Sequence, residues 1–397
     1  MLGIMMPVAD AQSRWAIEES YKLLPEASPS LRQYTNLHYA LYAASLAWLF
    51  GGLALAVRAR WAPRALARWR GIPVWLQAIA VYAALMIGLS IWMIPVRLAD
   101  WWIERAYHLS TTSPRQWLID QGLALALGCL WAPLLPIALH FVRRSPRWWW
   151  LHFGMALAPI GLFMIVVYPV LIDPMFNRFV PLADRQLRKE LVTLSNRAGV
   201  DEPTVLVSDA SRRTKKGNAF VVGIGPTHRI ILWNTLLMYY TEPEIKAIIA
   251  HELGHYVRLH LWRGFVLQTV GGILIMAALA WVMKKTVDRH GPALGIKGIA
   301  DPGAIPLALL LIELLLLLQM PLASAVSRGM EREADAYGLQ LYRNGRAAAS
   351  AYARMSTQDY GDPDPPGWAV FWLHTHPSLR ERVARALDYD RRNARSD

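Results

Sequence analysis

Cysteine is almost missing from this chain of 397 residues: Cys129 stands alone inside an apolar run. One thiol excludes a disulfide framework and a thiolate zinc site, and it leaves the redox compartment unread. Acid is scarce as well, with 29 Asp and Glu against 42 Lys and Arg and a net charge of +13. Such an excess can mark a nucleic-acid binder, but here the arginines cluster beside apolar runs, as charges that flank membrane segments do. Nucleic acid is therefore not expected as a partner. The N-terminus lacks the basic start and full apolar core of a signal sequence, so Met1–Ala11 reads as a remnant or a misplaced start.

What is abundant is apolar surface: 54% of residues are hydrophobic and 18 are Trp, too apolar and too rich in interfacial aromatics for an ordinary soluble enzyme. Six segments approach the roughly twenty residues a helix needs to cross hydrocarbon: 37–57, 74–96, 117–141, 149–172, 262–283 and 304–326. Trp and Tyr crowd their ends, as at Trp101-Trp102 and Trp148-Trp149-Trp150. Pro133, Pro136, Pro159, Pro169 and Pro321 predict kinks, and Gly271-Gly272 predicts close helix packing. Asp120, His140 and Glu313 lie near apolar depth; each reads singly as a structural pairing, and together they point to a hydrated space between helices.

The remainder divides into two pieces. In 173–261, Gln186–Gly199 reads as a helix, and Thr204–Ser208, Phe220–Ile224 and Arg229–Trp233 read as strands. Behind them lies His251-Glu252-Leu253-Gly254-His255 in a run of helix formers, with Thr241 and Glu244 as a capping box. Positions four apart on a helix stack on one face, so His251 and His255 converge as a zinc half-site. Glu252 is placed to take a proton from attacking water. A third ligand comes from 327–397, where Glu331 and Asp335 also lie four apart on one helical face, with Glu333 pointing elsewhere. Glu331 suits the metal, and Asp335 suits the other ring nitrogen of a ligating histidine. Two histidines and one glutamate leave a fourth position open, the catalytic rather than the structural pattern. Asn218-Ala219-Phe220 begins a strand at a sheet edge, either as a simple turn or as a site of peptide strand addition. His376 precedes Pro377 just ahead of a last helix, either capping that helix or reaching a developing oxyanion with Arg382 beside it.

These motifs, from Ile172–Leu182 through Lys216–Phe220, Arg229–Leu237, His251–His255 and Glu331–Asp335 to His376–Arg382, resemble those of the type I CAAX prenyl endopeptidases, integral-membrane gluzincins that trim prenylated C-terminal tripeptides. The resemblance covers the C-terminal 220 or so residues closely and the first four spans by layout. It implies one zinc ion per chain on His251, His255 and Glu331, with Glu252 as general base. It further implies that Asn218 and Ala219 align the substrate backbone, that His376 and Arg382 stabilise the oxyanion, and that the helices enclose a large chamber. The eukaryotic pattern has one more N-terminal span, and Gly217 stands where Ser or Ala often precedes the asparagine.

The expected architecture is a multi-pass α-helical membrane protein, with about six transmembrane helices, an internal chamber, and a mainly α zincin unit with a small sheet. Its parts are 1–36 (extramembrane), 37–172 (four spans), 173–261 (first catalytic piece), 262–326 (two spans) and 327–397 (second catalytic piece). The expected partners are a peptide or protein substrate, a lipidated C-terminus among the candidates, and membrane lipid; the chain is expected to act as a monomer in a bacterial inner membrane. A site-2 intramembrane protease would need an Asp-Gly word in a span, and Asp-Gly does not occur here. A membrane quality-control gluzincin and a non-catalytic scaffold with a vestigial site are the alternatives. Arg58, Arg60, Arg64, Arg68 and Arg70, then Arg143, Arg144 and Arg147, then Lys284 and Lys285 put basic loops on one face. The positive-inside rule makes that face cytoplasmic, which places the catalytic pieces opposite; the eukaryotic relatives imply the reverse.

Overall fold

The computed structural model describes residues 11–69, 71–167, 171–223 and 227–394. Nearly all of the Met1–Ala11 stretch, Arg70, Pro169 and Ile224 lie outside the described residues. The first part is helical throughout: α1 (Ala11–Leu23), α2 (Pro29–Arg58), α3 (Trp61–Arg68), α4 (Val74–Trp92), α5 (Ile94–Ala106), α6 (Pro114–Cys129), α7 (Leu134–Arg144) and α8 (Trp149–Val167). After the short α9 (Asp173–Phe176) come β1 (Phe179–Pro181), α10 (Arg185–Arg197), β2 (Thr204–Ser208), β3 (Ala219–Val222), β4 (Arg229–Trp233), α11 (Asn234–Tyr239) and α12 (Glu242–Val257). Two long helices follow, α13 (His260–Leu294) and α14 (Ile305–Tyr342), and then α15 (Gly345–Gln358), α16 (Gly367–Trp372) and α17 (Leu379–Asn393).

Among the described residues, five stretches are long and apolar enough to cross a membrane: α2, α4, α6 with α7, α13, and α14 with the turn before it. The sixth expected span corresponds to α8, whose apolar stretch is shorter and which packs along α13. Pro133 falls at the break between α6 and α7, while Pro159 and Pro321 lie inside helices. The expectation for Gly271-Gly272 needs correction. A Cβ on Gly271 would lie 3.4 Å from Gln319 of α14 but nothing approaches Gly272, and the tighter contact is made by Gly154, where a Cβ would come within 2.9 Å of Ile273. At α2 and α4, Trp48 and Trp92 stack at 4.7 Å, and each indole N–H donates to the other's backbone carbonyl, at 2.7 and 2.8 Å.

The helices also overrun their expected ends. α2 starts at Pro29, capped by Ser28, and α14 continues from the apolar region through Glu331 to Tyr342 without a break. At 1.5 Å per residue, α14 is about 57 Å long, well beyond the ~30 Å hydrocarbon thickness. α1 lies on α17, held by Arg380, which donates to the Leu24 carbonyl at 2.7 Å and sits 3.6 Å over the Tyr21 ring.

The sheet has the order β1-β2-β4-β3, parallel between β2 and β4 and antiparallel elsewhere, with β3 at an edge. Its core joins Leu191 of α10, Ile230 and Leu232 of β4, and Ile245, Ile249 and Leu253 of α12. The last three recur every fourth residue and are fully buried, each worth ~1.5–3 kcal/mol. This apolar stripe fixes the rotation of α12 and turns the two histidines towards α14. Glu244 starts the helix as expected, accepting from the Thr241 N–H at 2.8 Å.

Between α2, α5, α6 and α14 lies a cavity of about 600 Å³. His38, Arg97, Asp100 and Gln121 supply its polar wall, and Tyr42 and Met320 part of its apolar wall. Asp120, His140 and Glu313 do not line it, which corrects the expectation that they mark the hydrated space. Asp120 instead pairs with Arg213 at 3.1 Å.

Candidate active site

Two glycines bring the site together. A Cβ on Gly254 of α12 would lie 2.8 Å from the Ala334 carbonyl oxygen, and one on Gly338 of α14 would lie 2.9 Å from the His251 nitrogen. Without those side chains the two backbones meet, and Glu331 on α14 faces both imidazoles. His251 Nε2 is 3.1 Å from His255 Nε2. Each of these nitrogens lies 3.3 Å from a Glu331 oxygen.

Those spacings, with one carboxylate oxygen of Glu331 towards each imidazole, fit a metal. A tetrahedral ion with bonds of about 2.0–2.1 Å holds its ligand atoms about 3.3 Å apart. His251 and Glu331 are buried, and Glu331 Oε2 accepts no hydrogen bond despite its burial, an orphaned anion of the kind a cation satisfies. The cluster of His251, His255 and Glu331 could hold a metal ion.

Around it, Asp335 accepts from His251 Nδ1 at 2.8 Å and from Tyr352 Oη at 2.8 Å. Arg382 spends both Nε (2.9 Å) and Nη2 (2.6 Å) on Asp335, with Nη2 3.3 Å from His251 Nδ1. Its guanidinium lies 4.1 Å over the Tyr352 ring. Glu252 has its carboxylate 4.0 Å from His251 Nε2, and burial pushes that carboxyl above its ordinary range, against the pull of His251 and His255. His376 is exposed and reaches Glu331 Oε1 at 3.4 Å.

Ala219 opens the edge strand β3, which packs on α12, and Asn218 immediately precedes it. Ala219 is paired with Leu232, and the Asn218 carbonyl accepts from Trp233 at 2.9 Å. Gly217 has a reason of its own: a Cβ would come within 2.7 Å of the Tyr240 ring. Its N–H donates to Asp359 at 2.9 Å, and Tyr240 Oη donates to the same carboxylate at 2.8 Å. Burial pushes Asp359 up to about 6. Lys216 ties the strand to the membrane helices through Glu104 at 2.9 Å and Tyr34 at 3.0 Å.

Two further residues reach the site: His260, which sequence reasoning passed over, and Glu333, which was expected to point elsewhere and does face away from Glu331, onto His260. His260 Nδ1 is 3.0 Å from His255 Nδ1, and Glu333 lies behind it at 3.3 Å. The only sequence signal was a third histidine five residues beyond His255.

Comparison with known families matches residues 181–390 to peptidase family M48. The chain belongs to peptidase family M48. Residues 33–178 match the family described as CAAX prenyl protease N-terminal, five membrane helices. This peptidase is 29% identical over 315 residues to the uncharacterized metalloprotease YhfN of Bacillus subtilis, covering 78% of this chain and 73% of that protein. To CAAX prenyl protease 1 of Saccharomyces cerevisiae it is 26% identical over 303 residues, 72% of this chain and 66% of that enzyme. Its fold is that of S. mikatae Ste24p, whose crystal structure superposes with a TM-score of 0.80 at 21% identity, covering 96% of this chain and 97% of that one. It is a multi-pass membrane zinc metalloprotease homologous to the CAAX prenyl proteases, and it acts on peptide or protein substrates. Matches in both halves favour this reading over the quality-control and scaffold alternatives.

Proposed function

We propose that the peptidase holds one zinc ion per chain on His251, His255 and Glu331 and hydrolyses extended peptides, a lipidated C-terminal tail among them. The observation that carries this is the convergence of His251 Nε2 and His255 Nε2, 3.1 Å apart, on the Glu331 carboxylate, whose Oε2 and Oε1 each lie 3.3 Å from one of them. Zinc bound there supplies Lewis acidity, acidifying water and polarising the scissile carbonyl. Glu252 takes the proton of the attacking water and then delivers it to the leaving amine, work that suits a carboxyl with a raised pKa. His376, exposed beside Glu331, donates to the developing oxyanion, a contact commonly worth ~3 kcal/mol. Arg382, with two nitrogens on Asp335, works through Asp335 and His251 rather than on the oxyanion directly. Asn218 and Ala219 receive the substrate backbone along the edge of β3.

The lipidated tail is argued from the relatives named CAAX prenyl protease 1 and from the partly apolar cavity, which reaches Leu373, three residues before His376. A monomer in a bacterial inner membrane, in contact with lipid, is sufficient for this chemistry. The two ends of α13 support a non-cytoplasmic catalytic unit. Its first residue, His260, lies beside His255. Near its other end Val287 and Ile296 pack with Val142 and Trp149, and Arg143 donates to Ala300 at 3.4 Å. Arg143 and, within α13, Lys284 and Lys285 therefore lie towards the end away from the catalytic unit, which under the positive-inside rule supports a catalytic unit outside the cytoplasm. A C-terminal reporter active on only one side of the membrane tests this, and cytoplasmic signal alone would reverse it.

The test of the chemistry is Glu252→Gln in the full-length protein. Zinc content should stay at one per chain while peptide hydrolysis falls at least ~10³-fold, and wild-type turnover would remove Glu252 from the mechanism. The same variant, used to trap clients, identifies the substrate by its C-terminus.

A further inference from the structure

We propose that His260 is a positioning residue for the metal ligand His255, anchored in turn by Glu333; this rests on the zinc reading above. The chain turns sharply between α12 and α13, where Leu259 adopts φ 55°, in the left-handed region. That turn folds the first residue of α13 back against the last turn of α12. His260 is buried, at 5% exposure, and its ring stands edge-on to His255 with centroids 5.0 Å apart. Its Nδ1 lies 3.0 Å from His255 Nδ1. Its Nε2 lies 3.3 Å from Glu333, which also accepts from Arg263 at 2.5 Å.

The proton count then has one solution. If His255 ligates through Nε2, its single proton sits on Nδ1 and is donated to His260 Nδ1. His260 therefore carries its own proton on Nε2 and donates it to Glu333. A neutral imidazole offers one donor and one acceptor, and His260 uses both. A ligating histidine whose other nitrogen is held this way has its ring orientation and basicity fixed. His251 receives the same support directly from Asp335. One helix, α14, thus carries the ligand Glu331 and both anchoring acids: Asp335 on the side facing α12, and Glu333 on the side facing α13.

The experiment uses purified full-length protein in detergent, comparing wild type with His260→Ala, Glu333→Gln and Glu331→Ala. Zinc release to a colorimetric chelator is followed, and the visible spectrum of the cobalt-substituted form is recorded. His260→Ala should weaken zinc retention about 10–100-fold, with a smaller change in the same direction for Glu333→Gln. The cobalt spectrum should shift in both, which a role confined to packing would not produce. Glu331→Ala should hold no stoichiometric zinc. Wild-type retention and spectra in the His260 and Glu333 variants, with Glu331→Ala metal-free, overturn the proposal and leave the ligand set standing. Zinc retained by Glu331→Ala overturns the ligand set, and the proposal with it. If His260→Ala fails to fold, Glu333→Gln decides alone, because it preserves volume and helix: faster release supports the proposal and unchanged release ends it.

Discussion

The catalytic unit and the membrane bundle are packed by different rules. The largest fully buried side chains include Leu191, Ile230, Ile231, Leu232, Leu236, Ile249 and Leu253 in the catalytic unit, while the bundle contributes Leu53 and Val81. Elsewhere the bundle turns large apolar groups outward, with Leu274 64%, Leu318 62% and Trp281 66% exposed. In hydrocarbon an outward leucine costs nothing, because lipid is as apolar as a protein interior. Precision at the metal site therefore comes from the water-type core behind α12, and the membrane helices deliver ends to it.

That contrast can be broken at graded points. Leu253→Ala opens a cavity in the catalytic core and should cost ~2–5 kcal/mol in denaturant unfolding; a loss below ~1 would mean that this core does not set the fold. Gly254→Ala puts a methyl against the Ala334 backbone and should cost ~1–3 kcal/mol while lowering zinc retention, and an unchanged zinc content would deny that the close approach forms the site. Asp359 tests the boundary between the two regions through pH. Its carboxyl is pushed up to about 6 by burial, above its unfolded value, so the stability it contributes is present at low pH and is lost as pH rises through about 6. Asp359→Asn should flatten that part of the stability–pH curve by ~1–3 kcal/mol, and parallel curves for the two proteins would rule the group out. Leu274→Ala, on the lipid-facing side, should stay within ~0.5 kcal/mol; a loss comparable to that of Leu253→Ala would erase the distinction.

Much of the site was legible because helical spacing is a local property. His251, His255, Glu331 and Asp335 each lie four residues from a partner on one face, and the capping box at Thr241 marks where the first helix starts. Three features were not legible. The continuity of α14 was hidden because hydropathy drops after Ser324 while helix propensity does not, so a boundary was drawn where the chain has none. The strand β1, only Phe179–Pro181, is too short and too proline-bound to carry an alternating pattern. His260 and Glu333, 73 positions apart, meet only because a left-handed Leu259 folds one helix onto the next. The cavity was anticipated but assigned to the wrong residues: charges inside apolar runs stand out in a sequence, whereas His38, Arg97 and Asp100 lie at or just beyond the ends of the apolar runs 37–57 and 74–96.

Glu331, the proposed metal ligand, rides on a rod that starts in the apolar region and is exposed to whatever the lipid does to that rod. Hydrocarbon of a different thickness is met by helix tilt, and a small angle at one end becomes a sideways displacement at the carboxylate of Glu331. Reconstitution in short- and long-chain vesicles should therefore alter zinc retention even where no substrate is present.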